Sequence, residues 1–311
     1  MLGIAMHAND SFPVGKVQTI NLYPLSFLEY LDAKGFEQYR ELLETEQWEM
    51  AAVVDDALKS LLREYYFVGG MPEAVNMLLK YNDFNRVREV QRRLLNDYER
   101  DFSKHAPAAE VPRIRMVWLS IASQLVKENK KFIYGVIKEG SRAKEYELAL
   151  EWLKDAGLVY HVYRTKTGNL PLSSALDLSA FKLFLLDVGL LCAMHQIPAR
   201  TIMEGNVLFS GYKGALTEQY VLQQLKSLPE LSIYYWSAEN SRGEIDFLVQ
   251  KGDQVHPIEV KAEENLRSKS LKAFVDKYTN LKGLRFSMSG YREQEWMRNI
   301  PLYAVGAYLG K

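Results

Sequence analysis

Two stretches near the C-terminus alternate apolar and charged positions. In Glu244–Val249 (EIDFLV), Ile245, Phe247 and Val249 share one face, and Glu244 and Asp246 share the other. In Pro257–Ala262 (PIEVKA), Ile258 and Val260 oppose Glu259 and Lys261. A period of two predicts strands, because successive side chains point to opposite faces. The intervening residues 251–256 contain Gly252-Asp253, which predicts a tight turn. The two strands are therefore expected to be adjacent and antiparallel, with Asp246, Glu259 and Lys261 on a common face. Upstream, residues 214–226 (GALTEQYVLQQLK) carry helical spacing, and Glu218 falls on the same stripe as Leu222 and Leu225. Further strands are expected near 231–236 and 283–288, with a helix over 267–279.

The rest of the chain reads as mostly helical. A strand is expected over 17–22, then helices from 26 to 105. Apolar positions recur at three- and four-residue spacing from Glu37 to Tyr66. Gly69-Gly70 predicts a helix stop and Pro72 the next start. Residues 86–102 predict a long helix with a solvated, mixed-charge face. Residues 105–112, with two prolines and three alanines, read as a linker. Beyond it come expected helices at 113–128, 132–137 and 142–156, the last capped by Ser141 and ended by Gly157. Strands at 158–163 and 182–186 complete a winged helix-turn-helix order. In that arrangement the helix starting at Arg142 offers its N-terminal end to the major groove. Lys127, Lys130, Lys131, Lys138, Arg142 and Lys144 gather positive charge there for phosphates, and Glu139, Glu145 and Glu147 dilute it. The competing reading is a module that packs against another protein domain.

Composition narrows the classes. A length of 311 suggests two or three domains, and 48% hydrophobic with 25% charged residues is ordinary for a globular chain. Formal net charge is zero, so any nucleic-acid affinity must come from local patches. No apolar stretch is long enough to span a membrane and no leader pattern opens the chain, which sets a cytoplasmic expectation. Cys192 stands alone, so a disulfide or cysteine-rich metal site within one chain is excluded. The five histidines are scattered and suggest no ligand set.

Asp246, Glu259 and Lys261 are the residues whose type and spacing point to chemistry. Two carboxylates can hold a hard divalent cation, Mg²⁺ or Mn²⁺, and a lysine can orient a water or offset developing charge at a phosphodiester. Glu218 on an apolar helical stripe is costly unless it is paired or binds that metal. The alternative is a salt-bridged patch on a solvated strand face.

The run from Glu218 through Glu244-Ile245-Asp246 to Glu259-Val260-Lys261 resembles the PD-(D/E)xK superfamily, the restriction-endonuclease-like fold. The resemblance implies a mixed sheet flanked by helices, catalytic Asp246, Glu259 and Lys261, and metal ligation by Glu218, Asp246 and Glu259. The proline that often precedes the first Asp of that motif is replaced by Glu244-Ile245. Other segments resemble the C-terminal part of a prokaryotic AAA-type ATPase family whose C-terminal domain has no assigned function. They are 12–16 with 22–27, Val68-Gly69-Gly70-Met71-Pro72-Glu73, 149–159, 182–191 and 214–218. The resemblance implies an α/β multidomain chain: 1–30 a remnant of an ATPase core, 31–105 a helical lid-like region, 106–200 a winged helix, and 205–311 the endonuclease-like domain. It also implies DNA, an ATPase core or another protein as partner. No G-x-x-x-x-G-K-[S/T] phosphate loop occurs, so this chain is expected to be a portion of such an ATPase, as a truncation or a natural fragment, without an ATP site of its own. The expected functions are metal-dependent DNA hydrolysis or, alternatively, non-catalytic docking of nucleic acid or protein.

Overall fold

Helix signals in the first third are honoured, with more breaks than periodicity alone predicts. The computed structural model describes residues 15, 16, 18, 20–126, 131–204, 210–238, 243–262 and 268–311. Ser26 caps α1 (Phe27–Ala33) through a reciprocal capping box with Glu29. The apolar periodicity of 37–66 becomes three helices, α2 (Glu37–Glu44), α3 (Trp48–Val53) and α4 (Asp55–Val68). The first break falls at Glu46, which takes a positive φ of 53°. Gly69 stops α4 and Pro72 opens α5 (Pro72–Tyr81), as expected. Next comes α6 (Phe84–His105), whose Arg88 and Gln91 are buried against expectation. The expected strand over 17–22 does not form at the described residues Gln18 and Ile20–Leu22; Val17 and Thr19 lie outside them.

The middle of the chain has the expected element order with shifted bounds. It comprises α7 (Val111–Leu125), α8 (Tyr134–Ile137), α9 (Glu147–Asp155), β1 (Val159–Thr165) and β2 (Leu176–Leu185). The helix expected from Arg142 starts five residues late. Residues Ala143–Glu145 form a 3₁₀ turn, and Ser141 makes no cap. Tyr146 is buried and non-helical there, so its packing sets the start of α9. Gly157 ends the segment at φ 71°.

Three further helices follow: α10 (Val188–Met194), α11 (Ala199–Met203) and α12 (Ser210–Lys226). The C-terminal pattern then yields β3 (Leu231–Ser237), β4 (Glu244–Lys251), β5 (Gln254–Lys261), α13 (Lys269–Lys277) and β6 (Gly283–Ser287). Two strands and a helix were not anticipated: β7 (Arg292–Glu293), β8 (Met297–Pro301) and α14 (Val305–Leu309). The described residues thus form a mixed α/β fold of 14 helices and one eight-stranded mixed sheet. Its order is β2-β1-β3-β4-β5-β6-β8-β7. As expected, β4 and β5 are antiparallel, with Phe247 opposite Ile258, and Gly252 in the turn takes φ 58°. The hairpin β1–β2 joins the same sheet through a short parallel pairing of β1 with β3, Arg164 opposite Tyr235.

A buried polar hub ties these parts together. The Asp187 carboxylate, wholly buried, accepts hydrogen bonds from Gly70 N (2.7 Å), Leu190 N (2.9 Å) and Gln223 Nε2 (3.1 Å). Gln223 also takes Val188 N (2.8 Å) and donates to Tyr65 Oη (2.9 Å), which in turn bonds Leu25 O. One turn away, Gln219 exchanges two bonds with the Leu185 backbone, and Gln224 accepts Phe27 N at 2.7 Å. The glycines are there for close approach. A Cβ on Gly69 would strike Asp187, one on Gly70 the Leu25 backbone, and one on Gly189 the Val68 backbone. Burial raises the Asp187 pKa, and its hydrogen bonds from Gly70, Leu190, Gln223 and Gly189 oppose that rise.

Asp187→Ala leaves those buried donors unsatisfied, so a loss of about 3 kcal/mol or more in urea-unfolding stability is expected. A loss under about 1 kcal/mol, the size of an ordinary surface substitution, would contradict the hub.

Candidate functional site

The strand alternation delivers the expected acids and lysine to one region of the sheet. Phe247, Val249, Ile258 and Val260 enter the main core, and Asp246, Glu259 and Lys261 fall on the alternate positions. Lys261 Nζ lies 2.8 Å from Glu259 Oε1. Asp246 Oδ2 accepts the Val260 backbone N–H at 2.8 Å. Glu218, on α12, is buried as its place on the apolar stripe requires. Burial disfavours the charged form of Lys261, but its bond to Glu259 and the charges of Glu259, Asp246 and Glu218 outweigh burial. Its pKa therefore sits above the ordinary lysine value. All four residues singled out from the sequence thus share one electrostatic neighbourhood.

A second lysine stands in the same neighbourhood, and the sequence reading passed over it. Lys182, on β2, is 0% exposed. Its Nζ is ion-paired with Glu244 and lies 4.0 Å from Glu218 Oε2 and 5.0 Å from the centre of the Tyr235 ring. Burial alone would lower its pKa. The charges of Glu218, Glu244 and Asp246 reverse the sign, so its pKa sits above the ordinary lysine value. The signal was available: Lys182 is a lone cation inside the apolar run from Ala180 to Leu186.

Arg285 and Asn299 extend the polar region across the sheet. Glu259 pairs with Arg285 in the β5–β6 register, and Arg285 with Asn299 in the β6–β8 register. Arg285 Nε donates to Asn299 Oδ1 (2.8 Å), which also accepts from Ser287 Oγ (2.8 Å). Burial lowers the Arg285 pKa, and the charge of Glu259 opposes that shift. Asn299 carried no sequence signal, because its strand β8 was not anticipated; Arg285 lies on the anticipated strand β6 but was not singled out.

Mg²⁺ or Mn²⁺ would need several of these carboxylate oxygens around one point. Among the described residues, no group of three or more His, Cys, Asp or Glu side chains could hold a metal ion. The donor chemistry is of the right kind, but the acids face partners. Glu259 Oε1 is on Lys261, Asp246 Oδ2 is on a backbone amide, and Glu218 sits beside Lys182. As arranged, the set does not fit a preformed divalent site. Glu259 Oε2 is buried and accepts no hydrogen bond among the described residues.

The basic residues expected to meet nucleic acid separate into groups. Lys138, Arg142 and Lys144 are exposed, and their side chains make no ion pair among the described residues. Lys131 is half-buried, with its backbone bridged to Lys182. Lys127 and Lys130 lie outside the described residues. Glu139, Glu145 and Glu147 are exposed beside the three cations. No helix among the described residues is long and apolar enough to cross a membrane.

Two family models match the chain. Residues 59–201 match a domain of unknown function, DUF8612, and residues 213–305 match another, DUF4143. The second is typically found C-terminal to AAA ATPase domains in prokaryotes. No curated protein and no solved structure matches.

Lys261→Met strips the nearly buried Glu259 of its cation, and a loss of about 1–3 kcal/mol is expected from chemical denaturation. Adding Glu259→Leu should recover a substantial part of that loss, giving a non-zero coupling in the double-mutant cycle. Strictly additive losses would mean that the pair does not form.

Proposed function

We propose that the chain is the C-terminal portion of an AAA-type ATP-binding protein and acts as a non-catalytic docking module that engages nucleic acid. One contrast carries this reading. The lysines of the sheet, Lys182 and Lys261, are committed to carboxylates, whereas Lys138, Arg142 and Lys144 at the α8–α9 turn are exposed and make no ion pair among the described residues. Three helices followed by the β1–β2 hairpin keep the order of a winged helix-turn-helix, which supports phosphate contact from that turn. The order α12, β3, β4, β5, α13, β6 is the one that the resemblance to a restriction-endonuclease-like scaffold implies, and on this reading the scaffold serves for its shape. The usual setting of DUF4143 beside AAA ATPase domains supports a motor supplied by another segment or chain.

Metal-dependent phosphodiester hydrolysis is the second reading. It is favoured by the buried Glu259 Oε2, a carboxylate oxygen with no hydrogen bond among the described residues, on the side chain that pairs with Lys261. On that reading Asp246, Glu259 and Glu218 would have to leave their present partners and gather on one ion.

Binding of a short DNA duplex, followed by fluorescence anisotropy at several salt concentrations, tests the docking reading. The combined Lys138→Ala, Arg142→Ala and Lys144→Ala variant should bind at least about tenfold more weakly, with a log–log salt slope shallower by about 2–3. Unchanged affinity and slope would remove the docking surface. The same preparation should not cleave DNA in Mg²⁺ or Mn²⁺. Cleavage that is lost in both Asp246→Asn and Lys261→Ala would establish the second reading instead.

A further inference from the structure

We infer that Lys182 is the resident cation of the acid cluster, an internal ammonium that does the charge compensation a divalent ion would otherwise do. The inference rests on the reading that this cluster is not a metal-dependent hydrolytic centre, and it goes further by naming what takes the metal's place.

Several independent observations lead there. First, the cluster holds four carboxylates, those of Glu218, Glu244, Asp246 and Glu259, drawn from α12, β4 and β5. Such a concentration of buried or half-buried negative charge is unstable without cations. Second, Lys182 comes from outside those elements. It reaches the cluster from β2, at the far edge of the sheet, with β1 and β3 between β2 and β4. Third, its placement is fixed. The strand is pinned by pairing with Val162 of β1 and by the bridge to Lys131, and Phe132 N donates to Phe181 O at 2.8 Å. Fourth, the ammonium contacts acids on two different elements, Glu244 on β4 and Glu218 on α12, and Asp246 acts on it electrostatically. Bridging carboxylates from separate elements is the task of a divalent ion in a site of this composition. A lysine performs it with one charge instead of two, and Lys261 on Glu259 supplies the second.

The consequence is a latent cation site. Removing the Lys182 charge takes away the ammonium placed between Glu218 and Glu244, and a hard divalent ion can then supply the positive charge that is lost. Wild-type protein should show the opposite behaviour, since an ion entering the cluster would have to displace a bound ammonium.

The experiment uses the full chain and Mn²⁺ as probe, read by thermal unfolding and by the electron paramagnetic resonance signal of free Mn²⁺. Wild-type protein is expected to keep the same Tm with and without Mn²⁺ and to leave the free-ion signal unchanged. Lys182→Met is expected to melt several degrees lower, to regain most of that loss in excess Mn²⁺, and to deplete the free-ion signal. Lys182→Arg, which keeps the positive charge, should respond to Mn²⁺ no more than wild type. If Lys182→Met does not fold, the wild-type measurement still decides. Depletion of free Mn²⁺ by wild type that disappears in Asp246→Asn or Glu259→Gln would overturn the inference. A folded Lys182→Met that ignores Mn²⁺ would also overturn it. Mn²⁺ binding by wild type without DNA cleavage would sink this inference and leave the docking reading intact, whereas Mn²⁺-dependent cleavage would sink both.

Discussion

Two buried charges five residues apart, Lys182 and Asp187, set the constraint that the rest of the structure answers. Neither can stay in the interior without compensation. Asp187 is met by amide donors, among them the backbone N–H groups of Gly70 and Leu190 and the side chain of Gln223. Lys182 is met by carboxylates from α12 and β4. Both solutions draw on α12, whose Glu218, Gln219, Gln223 and Gln224 all point into the interior. The helix is therefore a polar spine between the helical region, the β1–β2 hairpin and the C-terminal strands. Close approach to the Asp187 carboxylate and to the Leu25 and Val68 backbones explains why Gly69, Gly70 and Gly189 admit no side chain.

This arrangement shapes what the acid and lysine residues can do. A nuclease-like cluster normally gathers its acids on a metal and leaves its lysine to face substrate. Here one lysine is wholly buried among the acids, and the other lies on Glu259. The cluster adds an ion-paired link between the hairpin and the C-terminal strands, beside apolar contacts such as that of Phe184 with Phe247. Lys138, Arg142 and Lys144, by contrast, are exposed, and the proposed docking surface is therefore separate from the sheet site.

Much of this was legible in the sequence where period and chemistry agreed. The β4–β5 hairpin followed from the alternation and Gly252-Asp253, although a register shift between β3 and β4 places Ile245 in the second core cluster with Leu248 rather than with Phe247 and Val249; the burial of Glu218 followed from its place on an apolar stripe. The convergence of Asp246, Glu259 and Lys261 followed from the same alternation. Other features were hidden for identifiable reasons. Lys182 lies in a strand buried on both faces, where no alternation marks a special side. Asp187 reads as an ordinary helix cap, which it also is, and its long-range role depends on a helix 36 residues away. The strand Met297–Pro301 mixes Arg, Asn and Pro, and it persists because it pairs with both β6 and β7. Ser141 looked like a helix cap, but the packing of Tyr146 decides where α9 begins.

The central claim is that internal ammonium groups, not a divalent ion, balance the acid cluster. Anomalous diffraction from crystals of the full chain grown in MnCl₂ tests it most directly. The account predicts no manganese peak within the cluster, with Lys182 Nζ in ion-pair contact with Glu244. A manganese peak ligated by Asp246 and Glu259, with Lys182 or Lys261 displaced, would contradict it.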